Sequence, residues 1–184
     1  MELYLKTTNK NYYILALMDK WLELLKNNDY IGVKKHIKNG ADLNDFSENG
    51  ESVLACGVRV CCDIDLLMLL IQNGADIFDF DDEGVSIFDM AITYNNMELV
   101  EYIIEQGIDI NSTNRKSGFT PLMAATCYGR VEIVKKLLEL GADLSMVDSK
   151  GFSAVDFARK MNKKSMLELF NYDENTPQNR GYAR

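Results

Sequence analysis

Residues 118–141 read GFTPLMAATCYGRVEIVKKLLELG, and this stretch decides the fold. Thr120-Pro121 predicts the start of a short helix, because proline fixes φ and needs no N–H group at the first helical position. Gly129 interrupts this helix, and Gly141 ends a second one in the manner of a left-handed C-cap glycine. Between the two glycines, apolar residues recur at helical spacing, at Val131, Ile133, Val134, Leu137 and Leu138. The stretch therefore predicts one helix–turn–helix unit.

The unit is repeated along the chain. Glycines that end the second helices are predicted at Gly40, Gly74, Gly107 and Gly141, spaced 34, 33 and 34 residues apart. A second series stands at Gly50, Gly84, Gly118 and Gly151, spaced 34, 34 and 33 residues apart. Two interleaved series with a single period predict a repeat architecture.

The most regular copy resembles the ankyrin-repeat family. Its segment 120–125, Thr-Pro-Leu-Met-Ala-Ala, stands where that family has Thr-Pro-Leu-His-x-Ala, with Met123 in place of the histidine. The segments that begin at Ser86 and Ser153 are weaker copies, and the segment at Ser52 is the weakest. The resemblance covers roughly residues 20–170. It implies an all-α, ankyrin-type helix–turn–helix solenoid with β-hairpin loops, capped at both ends.

The period divides the chain into six segments. Residues 1–46 are predicted to hold N-terminal helices, at 11–26 and 30–38, and a degenerate capping repeat, because a stacked array needs a polar outer face at each end. Polar composition predicts a flexible tail after the last repeat. One extra residue is predicted near Cys61-Cys62 and another within 114–117. The remaining segments are ankyrin repeats at 47–80, 81–113 and 114–147, a C-terminal capping repeat at 148–171, and the tail at 172–184.

Charge is distributed unevenly. Of a net charge of −8, the segment from Gly40 to Asp109 carries sixteen acidic residues and one basic residue, Arg59. Such asymmetry bears on partners rather than on fold. Direct nucleic-acid binding is disfavoured, because phosphates attract lysine and arginine. We expect instead a protein partner with a basic surface. An immunity-type or nucleic-acid-mimic inhibitor of a basic enzyme is an alternative.

Composition also limits the cellular setting. No run of about 18 uncharged apolar residues exists, which excludes a membrane-spanning helix of the usual kind. The first six residues, MELYLK, lack the basic and then apolar layout of a secretory signal, so we expect a cytoplasmic protein.

The cysteines form no recognisable metal motif. No pair of Cys-x-x-Cys sequences is present, and His36 is the single histidine. We expect buried or half-buried thiols in a reducing compartment, with no metal and no cofactor. A haem or metal carrier that uses Cys56, Cys61, Cys62 or His36 is the alternative.

No catalytic constellation is present in the sequence. It has no phosphate-binding glycine loop and no histidine close to a paired nucleophile, so we expect a protein that is not an enzyme. The family resemblance implies that hairpin tips and first helices form a concave recognition face. We therefore expect a non-catalytic protein–protein interaction module, acting as an adaptor or an inhibitor.

The predicted contact residues flank the second glycine series or come late in the first helices. Aromatic anchors among polar neighbours are a usual way to concentrate binding energy. For Phe46 and Phe80, burial beneath the hairpins is an equally good interpretation. The partner-binding set is Glu48, Glu51, Arg59, Phe80, Asp82, Glu83, Tyr94, Lys116, Phe119, Tyr128 and Phe152.

Overall fold

A computed structural model describes residues 18–47 and 50–172 of the chain. The predicted tail from residue 173, Glu48 and the start of the first predicted helix lie outside the described residues. Every regular element in the described part is a helix, and no helix there is long and apolar enough to cross a bilayer. The helices are α1 (18–26), α2 (Tyr30–Lys38), α3 (Val53–Arg59), α4 (Ile64–Gln72), α5 (Ile87–Thr93), α6 (Met97–Glu105), α7 (Pro121–Cys127), α8 (Val131–Glu139), α9 (Ala154–Lys160) and α10 (Lys164–Leu169).

The helices form an all-α solenoid, as predicted. Each repeat pairs a short first helix with a second helix, in the order α3–α4, α5–α6, α7–α8 and α9–α10. The first helices stack side by side, since α5 lies between α3 and α7, and α7 lies between α5 and α9. Between repeats the chain forms tight turns. Within the described ranges, strand-like pairing is limited to the antiparallel bridges Phe46–Ser52 and Phe80–Ser86.

The first helices begin at side-chain caps. The hydroxyl groups of Ser52, Ser86, Thr120 and Ser153 each accept a hydrogen bond from the N–H group three residues ahead. Asp89 and Asp156 complete capping boxes in α5 and α9 by accepting from the cap's own N–H group. Pro121 occupies the first position of α7, as the sequence predicts. A cap of this kind contributes about 1 kcal/mol to the helix that it starts.

The first helices end at a residue with positive φ, a third periodic series that the sequence analysis missed. At the end of α5, the Asn95 N–H group donates to the Ile92 carbonyl at 3.1 Å and the Asn96 N–H group donates to the Ala91 carbonyl at 2.8 Å. This is a Schellman motif, which needs one left-handed residue. The series is Asn28 (φ 49°), Cys61 (φ 56°), Asn95 (φ 59°), Gly129 (φ 71°) and Asn162 (φ 53°).

The aspartates that follow the first glycine series have a structural role. Each accepts a hydrogen bond at its Oδ1 from the N–H group two residues ahead, which is the geometry of an Asx turn. This turn leads the chain from each second helix toward the next repeat, so the period of the aspartates has a local physical cause. The four bonds are Asp42 to Asn44 (2.9 Å), Asp76 to Phe78 (2.8 Å), Asp109 to Asn111 (2.9 Å) and Asp143 to Ser145 (2.7 Å).

Both predicted insertions are present. The connection between α3 and α4 spans 60–63, whereas the connection between α5 and α6 spans 94–96. When Cys61 is aligned with Asn95, the left-handed residue of the next repeat, and the N-cap Asp63 with the N-cap Asn96, Cys62 has no counterpart and is the inserted residue. The connection between α6 and α7 spans 106–120, one residue longer than the 73–86 connection before it.

The core lies between the two layers of helices. Leu70, Ile103 and Leu137 occupy the same position in α4, α6 and α8, and all three are fully buried. His36 takes that position in α2, where it is half-buried and meets Trp21 edge to face at 4.6 Å between ring centroids. The first helices α5 and α7 are buried from 87–92 and 121–126. Along α5 and α7, the surface of the first-helix layer is therefore limited to helix ends and hairpin turns.

Candidate protein-binding surface

Hairpin turns form a continuous row, called the rim below. They are residues 81–84, 115–118 and 148–151, together with Ser47 and Gly50 of the first turn, and each closes through the N–H group of its last glycine. Neighbouring turns touch. A Cβ atom on Gly84 would lie 2.2 Å from the Asn114 carbonyl oxygen, and one on Gly50 would lie 3.0 Å from Asp82 Cγ. The Ser149 N–H group donates to the Ser117 carbonyl at 2.7 Å. The second glycine series therefore lines up in space.

Two aspartates shape the rim from within. Asp81 Oδ1 accepts hydrogen bonds from the N–H groups of Glu83 and Val85, both at 2.9 Å. In the fourth turn, Asp148 Oδ1 accepts in the same way from Lys150 at 2.9 Å and Phe152 at 2.8 Å. These carboxylates hold the second and fourth turns in one conformation, and the central residues of both turns are exposed.

The rim changes sign along its length. Asp82 and Glu83, at the centre of the second turn, are exposed. Lys116 in the third turn and Lys150 in the fourth turn are also exposed. The predicted acidic surface is thus confined to the first half of the described rim, and the second half presents cations.

The structure exposes most of the predicted aromatic residues. Phe46 and Phe80 are 46% and 51% exposed, so neither is a core residue, and Phe78 beside them is 48% exposed. Tyr94 and Tyr128 are 38% and 49% exposed at the C-caps of α5 and α7. Large rings that remain this accessible are available to pack against a second protein.

Phe119 and Phe152 have a different environment. Both rings are half-buried and pack on Phe157 of α9, with ring centroids at 5.3 Å and 6.0 Å. The Arg115 guanidinium lies 5.5 Å from the Phe119 centroid, and the Lys160 ammonium lies 5.4 Å from the Phe152 centroid. The contact between Phe119 and Phe157 joins the third repeat to the fourth, and Phe119 and Phe152 each expose only part of the ring.

Glu51 and Arg59 bind one another. The Arg59 Nε–H group donates to both carboxylate oxygens of Glu51, at 3.0 Å and 3.1 Å. The Cys56 thiol lies beside this pair, and burial raises the pKa of that thiol above its usual value. The two residues were predicted as separate partner contacts, and in the structure they form one partly buried ion pair at the edge of α3.

Sequence reasoning missed a buried ion pair behind the rim. Asp89, 2% exposed, uses Oδ2 to accept from the Ser86 N–H and hydroxyl groups, at 3.1 Å and 2.8 Å. Its Oδ1 lies 3.3 Å from Arg115 Nη2, an ion-pair distance without hydrogen-bond geometry. The pair anchors the third turn to α5. The signal in the sequence was the extra residue within 114–117, which marks the loop that brings Arg115 there.

A second missed residue supports the exposed tyrosines. Arg130, the N-cap residue of α8, donates from Nε to the Thr93 carbonyl at 3.1 Å, and its Nη2 donates to the same oxygen. This contact places a cation at the C-terminus of α5, where the helix dipole favours it. It fixes the adjoining C-cap residue, Tyr94, against the following repeat.

Tyr94 borders a shallow cleft at the end of the first helices. The cleft has a volume of about 380 Å³ and lies between the turn after α3 and the turn after α5. Val58, Ile64 and Met97 contribute apolar walls, and Cys61 lies at the side formed by the longer turn. The inserted Cys62 is the sequence feature that could have indicated this cleft.

Two of the cysteines, Cys62 and Cys127, are poorly suited to metal ligation. Burial raises the pKa of the Cys62 thiol to about 12 and that of the Cys127 thiol to about 11. Metals bind the thiolate, so raised pKa values weaken any such site. Within 18–47 and 50–172, no three His, Cys, Asp or Glu side chains are grouped in a metal-binding arrangement.

The arrangement defines a class of protein before any comparison is made. The helix pairs stack on one another, and the rim and the ends of the first helices face solvent. This arrangement is a helical repeat solenoid, a fold that presents an extended binding surface. The family model described as "Ankyrin repeats (3 copies)" matches residues 22–114 and 90–148. These matches span more than half of the chain, which therefore belongs to the ankyrin-repeat family. Ankyrin repeats are generally protein–protein interaction modules, and such proteins are typically non-catalytic. A search of curated proteins found no match.

Proposed function

We propose that this protein binds a basic surface of another protein through the acidic half of the rim and the tyrosines at the ends of α5 and α7. The observation that carries the proposal is the exposure of Phe80, Tyr94 and Tyr128 on the same layer as the exposed Asp82 and Glu83. By occupying a partner's surface, the chain acts as an adaptor or an inhibitor.

The two kinds of residue contribute in different ways. An aromatic side chain buries about 150–250 Å² at an interface, so rings supply most of the contact energy. Carboxylates at the edge of an interface mainly raise the association rate and select the partner's charge. The cleft beside Tyr94 adds a place for one apolar side chain of the partner, because its walls include Val58, Ile64 and Met97.

The tyrosines provide the first test. The wild-type chain and the Tyr94→Ala/Tyr128→Ala variant are compared in pull-downs, and the affinity of the captured protein is then measured. Tyr30→Ala is the matched control, since Tyr30 is 43% exposed but starts α2 in the capping repeat. We expect the double variant to weaken binding at least about 30-fold, which corresponds to losing one hot-spot residue of about 2 kcal/mol. Equal capture by all three proteins would exclude this surface.

Salt dependence separates this proposal from the charge-driven alternative. An inhibitor that mimics nucleic acid holds its target mainly by charge, so its binding falls sharply between low and moderate salt. Binding anchored by buried rings weakens less over the same range. A steep salt dependence together with an unaffected tyrosine variant would favour the mimic over the proposal.

We also propose a cytoplasmic location. Support comes from the cysteines, since Cys56, Cys61, Cys62 and Cys127 are all unbridged. Free thiols persist in reducing compartments.

A further inference from the structure

The charge order of the rim makes it complementary to itself. The second turn presents Asp82 and Glu83, whereas the third and fourth turns present Lys116 and Lys150. A surface with opposite charges at its two ends matches a copy of itself that runs in the reverse direction, which is the requirement of a twofold isologous interface. We propose that two copies of this chain associate antiparallel along their rims.

Continuity of the rim fixes the pairing. Consecutive turns are in contact at Gly50 with Asp82, at Gly84 with Asn114, and at Ser117 with Ser149. The second, third and fourth turns therefore present their charges as one row. In a reversed second copy, the second turn faces the third turn of its mate, and the twofold axis repeats the same contact on the other side. The fourth turn then lies opposite Phe46 of the mate, which brings Lys150 toward that ring.

The exposed phenylalanines suit this arrangement. Phe46, Phe78 and Phe80 all lie next to the acidic half, and each is close to half exposed. A lysine or arginine over an aromatic face is favourable, and more so when water is excluded. The chain already uses such a contact, since the Lys160 ammonium lies 5.4 Å from the Phe152 ring centroid. Lysines of the basic half can cover the phenylalanines of the second copy in the same way.

The net charge of −8 opposes association but does not prevent it. At an ionic strength of about 0.1 M the Debye length is about 10 Å, so the repulsion between whole molecules is largely screened. Ion pairs in contact across the rim lie well within that length and keep their attraction. Because Phe80, Asp82 and Glu83 also belong to the proposed partner surface, a dimer and a partner complex exclude one another.

Sedimentation equilibrium of the full chain tests the proposal. The wild-type protein should show a concentration-dependent dimer whose dissociation constant rises at least about tenfold between about 0.1 M and about 1 M NaCl. Asp82→Lys/Glu83→Lys makes the described rim basic, and Lys116→Glu/Lys150→Glu makes it acidic. Each variant alone should be monomeric. An equimolar mixture of the two should restore a heterodimer, which also shows that both variants are folded.

Two controls give the test its specificity. Glu132→Lys/Lys135→Glu exchanges the charges of an exposed ion pair on α8 (2.8 Å), keeps the net charge, and should leave the dimer unchanged. The Tyr94→Ala/Tyr128→Ala variant should also dimerise, so failure of the partner proposal is distinguishable from failure of this one. A wild-type protein that stays monomeric at every concentration overturns the proposal. So does a dimer that survives either charge reversal, or a mixture of folded variants that does not associate.

Discussion

Replacing Cys61 with asparagine is expected to stabilise the protein. Cys61 has φ +56°, a left-handed conformation, at the turn that ends α3. The same turn in the other repeats uses asparagine or glycine. A left-handed residue other than glycine costs about 1–2 kcal/mol, and asparagine reduces that cost because its short polar side chain bonds locally. We expect a gain of about 0.5–1 kcal/mol from Cys61→Asn.

Little is lost in the exchange. The Cys61 side chain is exposed, so its removal sacrifices little buried area. The turn is held by main-chain hydrogen bonds, from the Cys61 N–H group to the Val58 carbonyl at 3.1 Å and from the Cys62 N–H group to the Gly57 carbonyl at 3.1 Å. Asparagine preserves both bonds. The gain therefore measures relief of backbone strain at this turn and not a new contact with another helix.

Urea denaturation gives the free energy of unfolding, and thermal melting should shift upward by about 2–4 °C for each kcal/mol in a chain of this size. Asn95→Cys is the reverse substitution at the equivalent turn and should cost a similar amount. Cys61→Ser removes the thiol but keeps the strain, so its stability should stay close to that of the wild type. If Cys61→Asn gains nothing while Asn95→Cys loses stability, the strain is not located at Cys61 and the reasoning is refuted.

Two further substitutions test the rim and the N-terminal repeat. Gly84→Ala should lower the free energy of unfolding in urea by about 2–4 kcal/mol, because its Cβ would meet the Asn114 carbonyl and its φ is +79°. The control is Gly107→Ala, which has φ +89° and open space around its Cβ and should cost only about 1 kcal/mol. Equal losses in the two variants would contradict a close contact at Gly84. His36→Leu should add about 1–2 kcal/mol at about pH 7, because it removes a buried Nε2 without a hydrogen bond. Burial, together with Lys20, lowers the pKa of His36 below 6.5, so wild-type stability falls as the pH drops through 6.5 toward that lowered pKa. The leucine variant should lack this decline, and an unchanged pH profile of urea midpoints would exclude a role for His36.

Local signals explain why the helices could be predicted. The α7–α8 unit follows from Pro121, Gly129 and Gly141, each of which acts on the backbone within a few residues of itself. Leu70, Ile103 and Leu137 recur at the period of the repeat, and all three are fully buried. The left-handed asparagines were missed because asparagine is also common in ordinary turns, and only the φ values separate the two uses.

Contacts between repeats explain what could not be predicted. Phe80 precedes the second turn and is exposed, whereas Phe119 follows the third turn and is half-buried. The environment of Phe119 depends on the next repeat, where Phe157 supplies a ring 5.3 Å from that of Phe119. The insertions were visible as breaks in the period, but their effects depend on neighbours. One brings Arg115 to Asp89, and the other widens the turn that borders the cleft beside Tyr94.

The acidic residues show how one composition serves two purposes. Asp76 and Asp81 accept main-chain hydrogen bonds, and Asp89 is buried in a capping box, so these carboxylates would be required even without a partner. Asp76 and Asp81 still contribute to the long-range field of the segment. In the proposed interface, however, direct contact is left to Asp82 and Glu83, which are exposed at the centre of the second turn. In the proposed function, attraction of a basic protein is thus a property of the whole segment from 40 to 109, whereas the proposed docking site is limited to one turn and the rings beside it.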